Sequence, residues 1–503
     1  MAKVMRGRWI DLLILLLAAV LRLLWLELKP AHFDEGVNGF FVDEITTHGY
    51  YHYDPSNFHG PLHFYVLFVA QTLLGRHVWV LRFPLVLASI ACVAFVLFGF
   101  RRFVSARASR LAAVAMAVSP GFVFFGRYAI HETWLVLFLM LLAAGLAGMW
   151  SEGGKRDLWL TGIGFAGIIL TKETWVIHAV ALALAALALC VLERFSPSAP
   201  FPRVAPRFTV DDVAFVAAIC AGAVVFFYAG CLADPSGLVG FVETYAKWTR
   251  TGTAGESGHE KAWWYWFQLL GSYEWPVMLG LAASLGVVWP GTNRFLRWLA
   301  ISALGTLAAY TLIAYKTPWC LIAWGWPFCL VFGVAVEWLM LRVDRWTIGA
   351  LAGLVCAFAF AKCRLLNFVK FADDTEPYVY VQTTLDQRKL LDPLRWQAQR
   401  DPTTRHRVAH VIQEEHHPLI WLLADWPNIT WGEHDAAPEP LNAEWLLVDS
   451  AEKDRIEKGL SEPYFRETLK LRGMAPDRSI LYLRASSFRD YFPSRTPEFQ
   501  PAP

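Results

Sequence analysis

The chain of 503 residues is 56% hydrophobic and only 17% charged, with a mean hydropathy of +0.38 and a formal net charge of +2. Its apolar residues are gathered into long runs, which excludes an ordinary soluble globule and marks an integral membrane protein. Runs of about 20 apolar residues without alternation fit helices and exclude a barrel, and so small a net charge gives no electrostatic footprint for nucleic acid.

In chain order the hydropathy predicts spans at 9–28, 83–100, 109–126, 134–150, 158–171, 175–193, 213–231, 273–290, 298–315, 319–341 and 346–362, about eleven in all. No small-residue cleavage site follows the first run, so it reads as a retained helix. Its two charges, Asp11 and Arg22, are eleven residues apart and share a face, which suits a structural role toward the bundle interior. With the N-terminus inside, the inner segments carry sixteen Lys and Arg residues against nine in the longer outer segments before residue 362. The positive-inside rule therefore puts the N-terminus in and the C-terminus out.

The apolar piece from Pro61 to Gly75 is short for a span and reads as a juxtamembrane helix within a long first outer loop, 29–82. Val37, Phe40, Phe41 and Ile45 repeat at helical spacing in the same loop and predict a second helix along the interface. The eight cysteines fall in or beside apolar runs without C-x-x-C spacing, so they read as small core residues. The expected organisation is a transmembrane domain, 1–362, and a small soluble α/β domain, 363–503, on the outer side. In the latter, β-like runs at 408–412, 445–449 and 479–484 alternate with helical stretches at 384–400 and 451–460.

With this topology the unusual polar motifs converge on the outer face: Asp34-Glu35, Tyr53-Asp54-Pro55, His59-Gly60-Pro61, Arg127 to Glu132, Lys172-Glu173, Gly258 to Lys261 and Lys316-Thr317-Pro318-Trp319. Asp34 fits an N-cap for a helix beginning at Glu35, and equally a general base that takes a proton from an attacking hydroxyl or amine. Arg127 fits a snorkelling anchor or a phosphate ligand; Lys172 fits a hydrated turn or a phosphate-facing ammonium with its neighbouring carboxylate. Lys316 fits an interfacial anchor as well. The histidines of the first outer loop suit hydrogen bonding and anchoring, and imidazole with carboxylate also suits a divalent metal ion.

Together these motifs resemble the polytopic glycosyltransferases of the GT-C fold that use polyprenyl-phosphate sugars, in the manner of protein O-mannosyltransferases and aminoarabinose transferases of lipid A. The pattern is most similar to the branch called flippase activity-associated proteins: His32-x-Asp34-Glu35, Tyr53-Asp54-Pro55 with His59-Gly60-Pro61, Gly126-Arg127-Tyr128, Thr171-Lys172-Glu173, Tyr315-Lys316-Thr317-Pro318-Trp319 and Tyr380-Val381-Gln382-Thr383, in that order over roughly residues 30–385. The resemblance implies an all-α polytopic membrane domain with juxtamembrane helices, and an inverting transfer outside the membrane from a polyprenyl-phosphate-linked sugar to an acceptor protein or glycolipid. It implies Asp34 as general base with Glu35 beside it, and Arg127, Lys172 and Lys316 offsetting donor phosphate charge. His59, His131, Glu132, Glu173 and His259 would support them. His131-Glu132 stands where many relatives carry Asp, which leaves the metal open, and Trp263-Trp264-Tyr265 is not the WWDYG motif of oligosaccharyltransferases. The alternatives are a non-catalytic accessory that binds lipid-linked saccharide and assists its flipping, or a transporter; paired broken mid-membrane helices, the mark of the latter, are absent.

Overall fold

The computed structural model describes residues 2–199, 205–253, 258–288, 290–432, 440–473 and 478–501. The chain forms two compact units, one of Met1–Leu26 with Glu44–Val369 and one of Glu27–Asp43 with Lys370–Pro503. The break therefore lies a few residues beyond 362, because the last long helix stays helical to Phe368. Part of the first outer loop also clusters with the C-terminal unit instead of the helical one.

The helices up to that break are α1 (Ala2–Leu23), α2 (Phe33–His48), α3 (Leu62–Leu74), α4 (Val78–Ala94), α5 (Ala106–Val118), α6 (Pro120–Phe125), α7 (Glu132–Ser151), α8 (Lys155–Thr171), α9 (Trp175–Leu192), α10 (Val210–Tyr228), α11 (Ser236–Thr253), α12 (Tyr265–Tyr273), α13 (Trp275–Ser284), α14 (Arg294–Leu312), α15 (Cys320–Met340) and α16 (Arg345–Phe368). Among the described residues seven stretches are long and apolar enough to cross a membrane: Val78–Arg102, Glu132–Ser151, Trp175–Leu192, Val210–Tyr228, Arg294–Leu312, Cys320–Met340 and Arg345–Phe368. Of the other four expected spans, 9–28 lies largely on α1, which is 22 residues long and ends at Leu23, and the remaining three are helical but shorter or interrupted. The run 109–126 splits at Ser119-Pro120, where Ser119 caps α6 and donates to the buried Glu274 carboxylate.

Asp11 and Arg22 hold helices together, as their shared face implied. Asp11 Oδ1 accepts from Arg101 at 2.6 Å and from Arg110 at 2.7 Å. Arg22 donates to Ser89 Oγ at 2.7 Å and to the carbonyl of Ala117 at 3.1 Å. Neither polar group is left unsatisfied in apolar surroundings.

The C-terminal unit is α/β. Its elements beyond the break are α17 (Gln387–Arg400), β1 (Ala409–Ile412), α18 (Leu419–Leu422), β2 (Ile429–Gly432), β3 (Trp445–Asp449), α19 (Lys453–Gly459), β4 (Tyr464–Leu469), β5 (Ser479–Arg484) and α20 (Ala485–Phe488). The strand order is β2-β1-β3-β5-β4, with β1 parallel to β2 and β3, and β5 antiparallel to β3 and β4. Alternate residues feed opposite cores, as the two-residue period requires: Val411, Leu447 and Leu481 pack with Leu390 and Leu394 of α17, and Ile412, Leu446, Val448 and Tyr482 pack with Ile456 of α19.

Candidate functional site

The helix carrying the acid pair starts at Phe33, two residues earlier than expected, and its cap is His32. His32 Nδ1 accepts from the Asp34 amide at 3.0 Å, the His32 carbonyl accepts the first helical bond from Gly36 at 3.0 Å, and Glu35 Oε2 accepts from the His32 amide at 2.9 Å. The Glu35 bond is the return half of a capping box, while the His32 ring, standing where Ser or Thr is usual, takes the second helical amide. The expectation that Asp34 caps a helix beginning at Glu35 is corrected by it, because the helix begins at Phe33 and Asp34 lies inside its first turn. Glu35 is fully buried, whereas the Asp34 side chain is 38% exposed and 3.7 Å from His32 Nδ1. Of the two acids only Asp34 has an accessible carboxylate, in the first turn of the helix.

The C-terminal unit fixes this turn. His32 Nε2 donates to the Tyr380 carbonyl at 3.0 Å, and Gln382 Nε2 donates to the Pro30 carbonyl at 3.1 Å. Thr383 Oγ1 donates to the carbonyl of Ala31. The two bonds of His32 require the tautomer with hydrogen on Nε2. Gly36 and Gly39 lie on one helical face against Pro418 and the Trp421 indole; a Cβ at Gly36 would sit 2.3 Å from Pro418 Cα, so only glycine permits the approach. The role of Tyr380 to Thr383 as a clamp on residues 30–32 was not legible, since backbone acceptors leave no mark in a sequence.

In the helical unit the polar loops form a second cluster. The Gly60 amide donates to the Thr171 carbonyl at 3.1 Å, and a Cβ at Gly60 would lie 2.2 Å from the Leu170 backbone. That close approach sets His59 Nδ1 2.9 Å from Glu173 Oε2 and couples the His-Gly-Pro motif to the Thr-Lys-Glu motif. Lys172 is paired with Glu132, both side chains being almost fully buried. The His131 ring lies 4.4 Å from that of His59 and 4.1 Å from that of His63, between centroids. His63 was visible beforehand only as the i+4 neighbour of His59. Tyr53 of the Tyr-Asp-Pro motif shares a 2.7 Å hydrogen bond with Thr244, and Asp54 turns the chain by accepting from the Ser56 amide.

The charged groups of the cluster are paired with one another. Burial opposes the Lys172 ammonium, but the carboxylates of Glu132 and Glu173 outweigh it and hold its pKa well above the usual lysine range. Burial likewise pushes Glu173 up, and His59 and Lys172 outweigh that and draw it down to about 2. His131 is held well below the usual histidine range by burial, with His63, His59 and Lys172 adding to the effect. It is neutral at pH 7.

Lys316 differs. It is 2% exposed and donates to the carbonyls of Ile313 and, at 3.2 Å, Lys261, with no carboxylate in ion-pair contact among the described residues. Burial pulls its pKa down. The segment around His259 holds it in place: the Lys316 amide donates to the His259 carbonyl at 3.0 Å, and Glu260 bridges to Tyr315. Arg127 is fully buried and commits its guanidinium to the carbonyls of Leu21, at 3.0 Å, and Trp25, at 2.9 Å, with the Phe368 ring against it. It closes the C-terminal end of α1, where a cation is favoured. Its carbonyl partners lie about a hundred residues upstream, which sequence spacing does not reveal. Among the described residues no group of three or more His, Cys, Asp or Glu side chains fits a metal ion, and Glu132, the acid expected nearest to one, is held by Lys172.

A helical unit with polar loops and a small α/β C-terminal unit define a class by fold: the chain has the GT-C fold. Residues 58–205 match the family model described as dolichyl-phosphate-mannose-protein mannosyltransferase. The structure is similar to ArnT from Cupriavidus metallidurans bound to undecaprenyl phosphate, with a TM-score of 0.64 and 14% identity over 94% of this chain and 97% of that one. It is also similar to the archaeal oligosaccharyltransferase AglB from Archaeoglobus fulgidus in complex with an inhibitory peptide and a dolichol-phosphate, with a TM-score of 0.51 and 12% identity over 97% of this chain and 77% of that one. No curated protein matches the chain by sequence.

Proposed function

We propose that the protein is a membrane glycosyltransferase that moves one sugar from a polyprenyl phosphate to an acceptor hydroxyl or amine on a protein or glycolipid. The transfer takes place outside the cytoplasmic membrane, with the N-terminus inside and the C-terminal unit outside. The acceptor oxygen or nitrogen attacks the anomeric carbon as the bond from that carbon to the phosphate oxygen breaks. The proton passes to Asp34, and the bonding pair leaves with the polyprenyl phosphate. Attack opposite the leaving group inverts the anomeric centre. Lys316, which has no carboxylate in ion-pair contact among the described residues, offsets the charge that grows on the departing phosphate. Glu35 and Arg127 support this chemistry by fixing the first turn of α2 and the end of α1.

One observation carries the reading: Asp34 is the half-exposed acid of a turn whose capping work is done by His32 and Glu35. Asp34→Asn in proteoliposomes supplied with a polyprenyl-phosphate sugar is expected to lower transfer about a thousandfold while donor binding stays intact. An accessory that only binds or flips lipid-linked saccharide would tolerate the change, and unimpaired transfer by this variant removes the base assignment.

A further inference from the structure

The helix α11, Ser236–Thr253, follows the spanning helix α10 after a short turn and is not itself among the stretches that can cross a membrane. Only 6% of the apolar stretch of α10 is buried in the protein, so lipid meets that helix on nearly every side. α11 packs against its end. A Cβ at Gly237 would lie 2.0 Å from the Tyr228 carbonyl oxygen, and the rings of Phe241 and Tyr228 are 4.6 Å apart. On one flank Thr244 meets Tyr53, and Lys247 Nζ donates to Ser56 Oγ at 3.0 Å. On the other flank the Tyr245 hydroxyl accepts from Nε1 of Trp175, the first residue of α9, at 2.6 Å.

With about 100° of rotation per residue, α11 divides into three arcs. The arc from Gly240 through Thr244, Gly237 and Phe241 to Tyr245 faces protein. The next arc, of about 60°, carries Val242, Ala246 and Val239, all exposed, the two valines at 68% and 62%. A third arc, again of about 60°, carries Arg250, Glu243 and Lys247, exposed as well. The apolar arc thus adjoins the flank that touches the start of a span, and the charged arc adjoins the flank that touches the loop at Ser56. Thr249, at the edge of the apolar arc, turns its hydroxyl back to the Tyr245 carbonyl at 2.8 Å. Such a strip is unfavourable in water and favourable where a lipid-facing helix ends.

We propose that α11 is an interfacial helix: Val239, Val242 and Ala246 rest in the acyl boundary of the leaflet where α10 ends, while Glu243, Lys247 and Arg250 lie among the head groups and water. The lipid surface that surrounds α10 continues onto this strip. Through Tyr53 and Trp175 the helix holds the Tyr-Asp-Pro loop and the turn bearing Lys172 and Glu173 at head-group depth. The inference is independent of which residue accepts the proton.

The full chain in nanodiscs of phosphatidylethanolamine and phosphatidylglycerol tests this, with p-benzoylphenylalanine replacing Val242 or, about 140° round the helix, Lys247. Irradiation joins the ketone carbon to a neighbouring C–H carbon while the hydrogen passes to the ketone oxygen. An acyl chain in contact is therefore recovered as a phospholipid adduct of the labelled peptide. Both variants are expected to melt like the wild type, and the Val242 position to give at least about tenfold more phospholipid adduct than the Lys247 position. Ala246 takes the place of Val242 if that variant does not fold. Equal yields at the two positions, adducts of the apolar position with protein instead of lipid, or no adduct at either, overturn the proposal.

Discussion

The first turn of α2 and the turn between α8 and α9 each present two adjacent charged residues, and the structure uses them differently. At Asp34-Glu35 one acid is buried in a capping box and the other is left half-exposed. At Lys172-Glu173 both charges are buried, each with a partner from another loop. In both pairs the glutamate does structural work, which no property of the residue type announces. A charged pair at the end of a helix therefore defines a place, and only its partners reveal which member is free to act.

The contrast can be broken at the α8–α9 turn first. Lys172→Met leaves the Glu132 carboxylate buried without its partner, and the thermal unfolding curve should show a loss of about 3–5 kcal/mol. Adding Glu132→Gln to that variant should recover much of it; a single variant as stable as the wild type would mean the pair is hydrated. Lys316→Met removes a buried ammonium that has no carboxylate in ion-pair contact among the described residues. Its effect should fall on transfer instead, about a hundredfold, with little change in melting temperature.

Glu173 gives a pH signature. Because its folded pKa is depressed to about 2, its contribution to stability is fully present above about pH 4.5 and fades as pH falls toward 2. Melting temperatures of the wild type and Glu173→Gln should differ most at pH 7 and converge only as pH approaches about 2, and a gap that widens on acidification would reverse the assignment. The smallest effect is expected at the other pair: Glu35→Ala removes one cap bond, costing about 1 kcal/mol of stability.

Much of the architecture was legible before any coordinates. Among the described residues every expected span lies mostly on helix, and the strands predicted at 408–412, 445–449 and 479–484 fall within a residue of β1, β3 and β5. The two strands that escaped, β2 and β4, are the edges of the sheet. Edge strands are half-exposed, and Tyr464–Leu469 mixes charged residues into its alternation, so its period is weak. The site was legible as a set of motifs but not as a set of roles. His32 as a cap, Arg127 on the α1 carbonyls and the clamp of Tyr380 to Thr383 all depend on backbone groups, which every residue possesses and no sequence distinguishes.

The central claim is that Asp34, and not its neighbour, takes the proton. Sugar transfer by Asp34→Asn and Glu35→Gln, measured side by side in the same proteoliposomes with one polyprenyl-phosphate donor, tests it most directly. The account predicts a loss of about a thousandfold for Asp34→Asn and less than tenfold for Glu35→Gln. A larger loss in Glu35→Gln than in Asp34→Asn would contradict it.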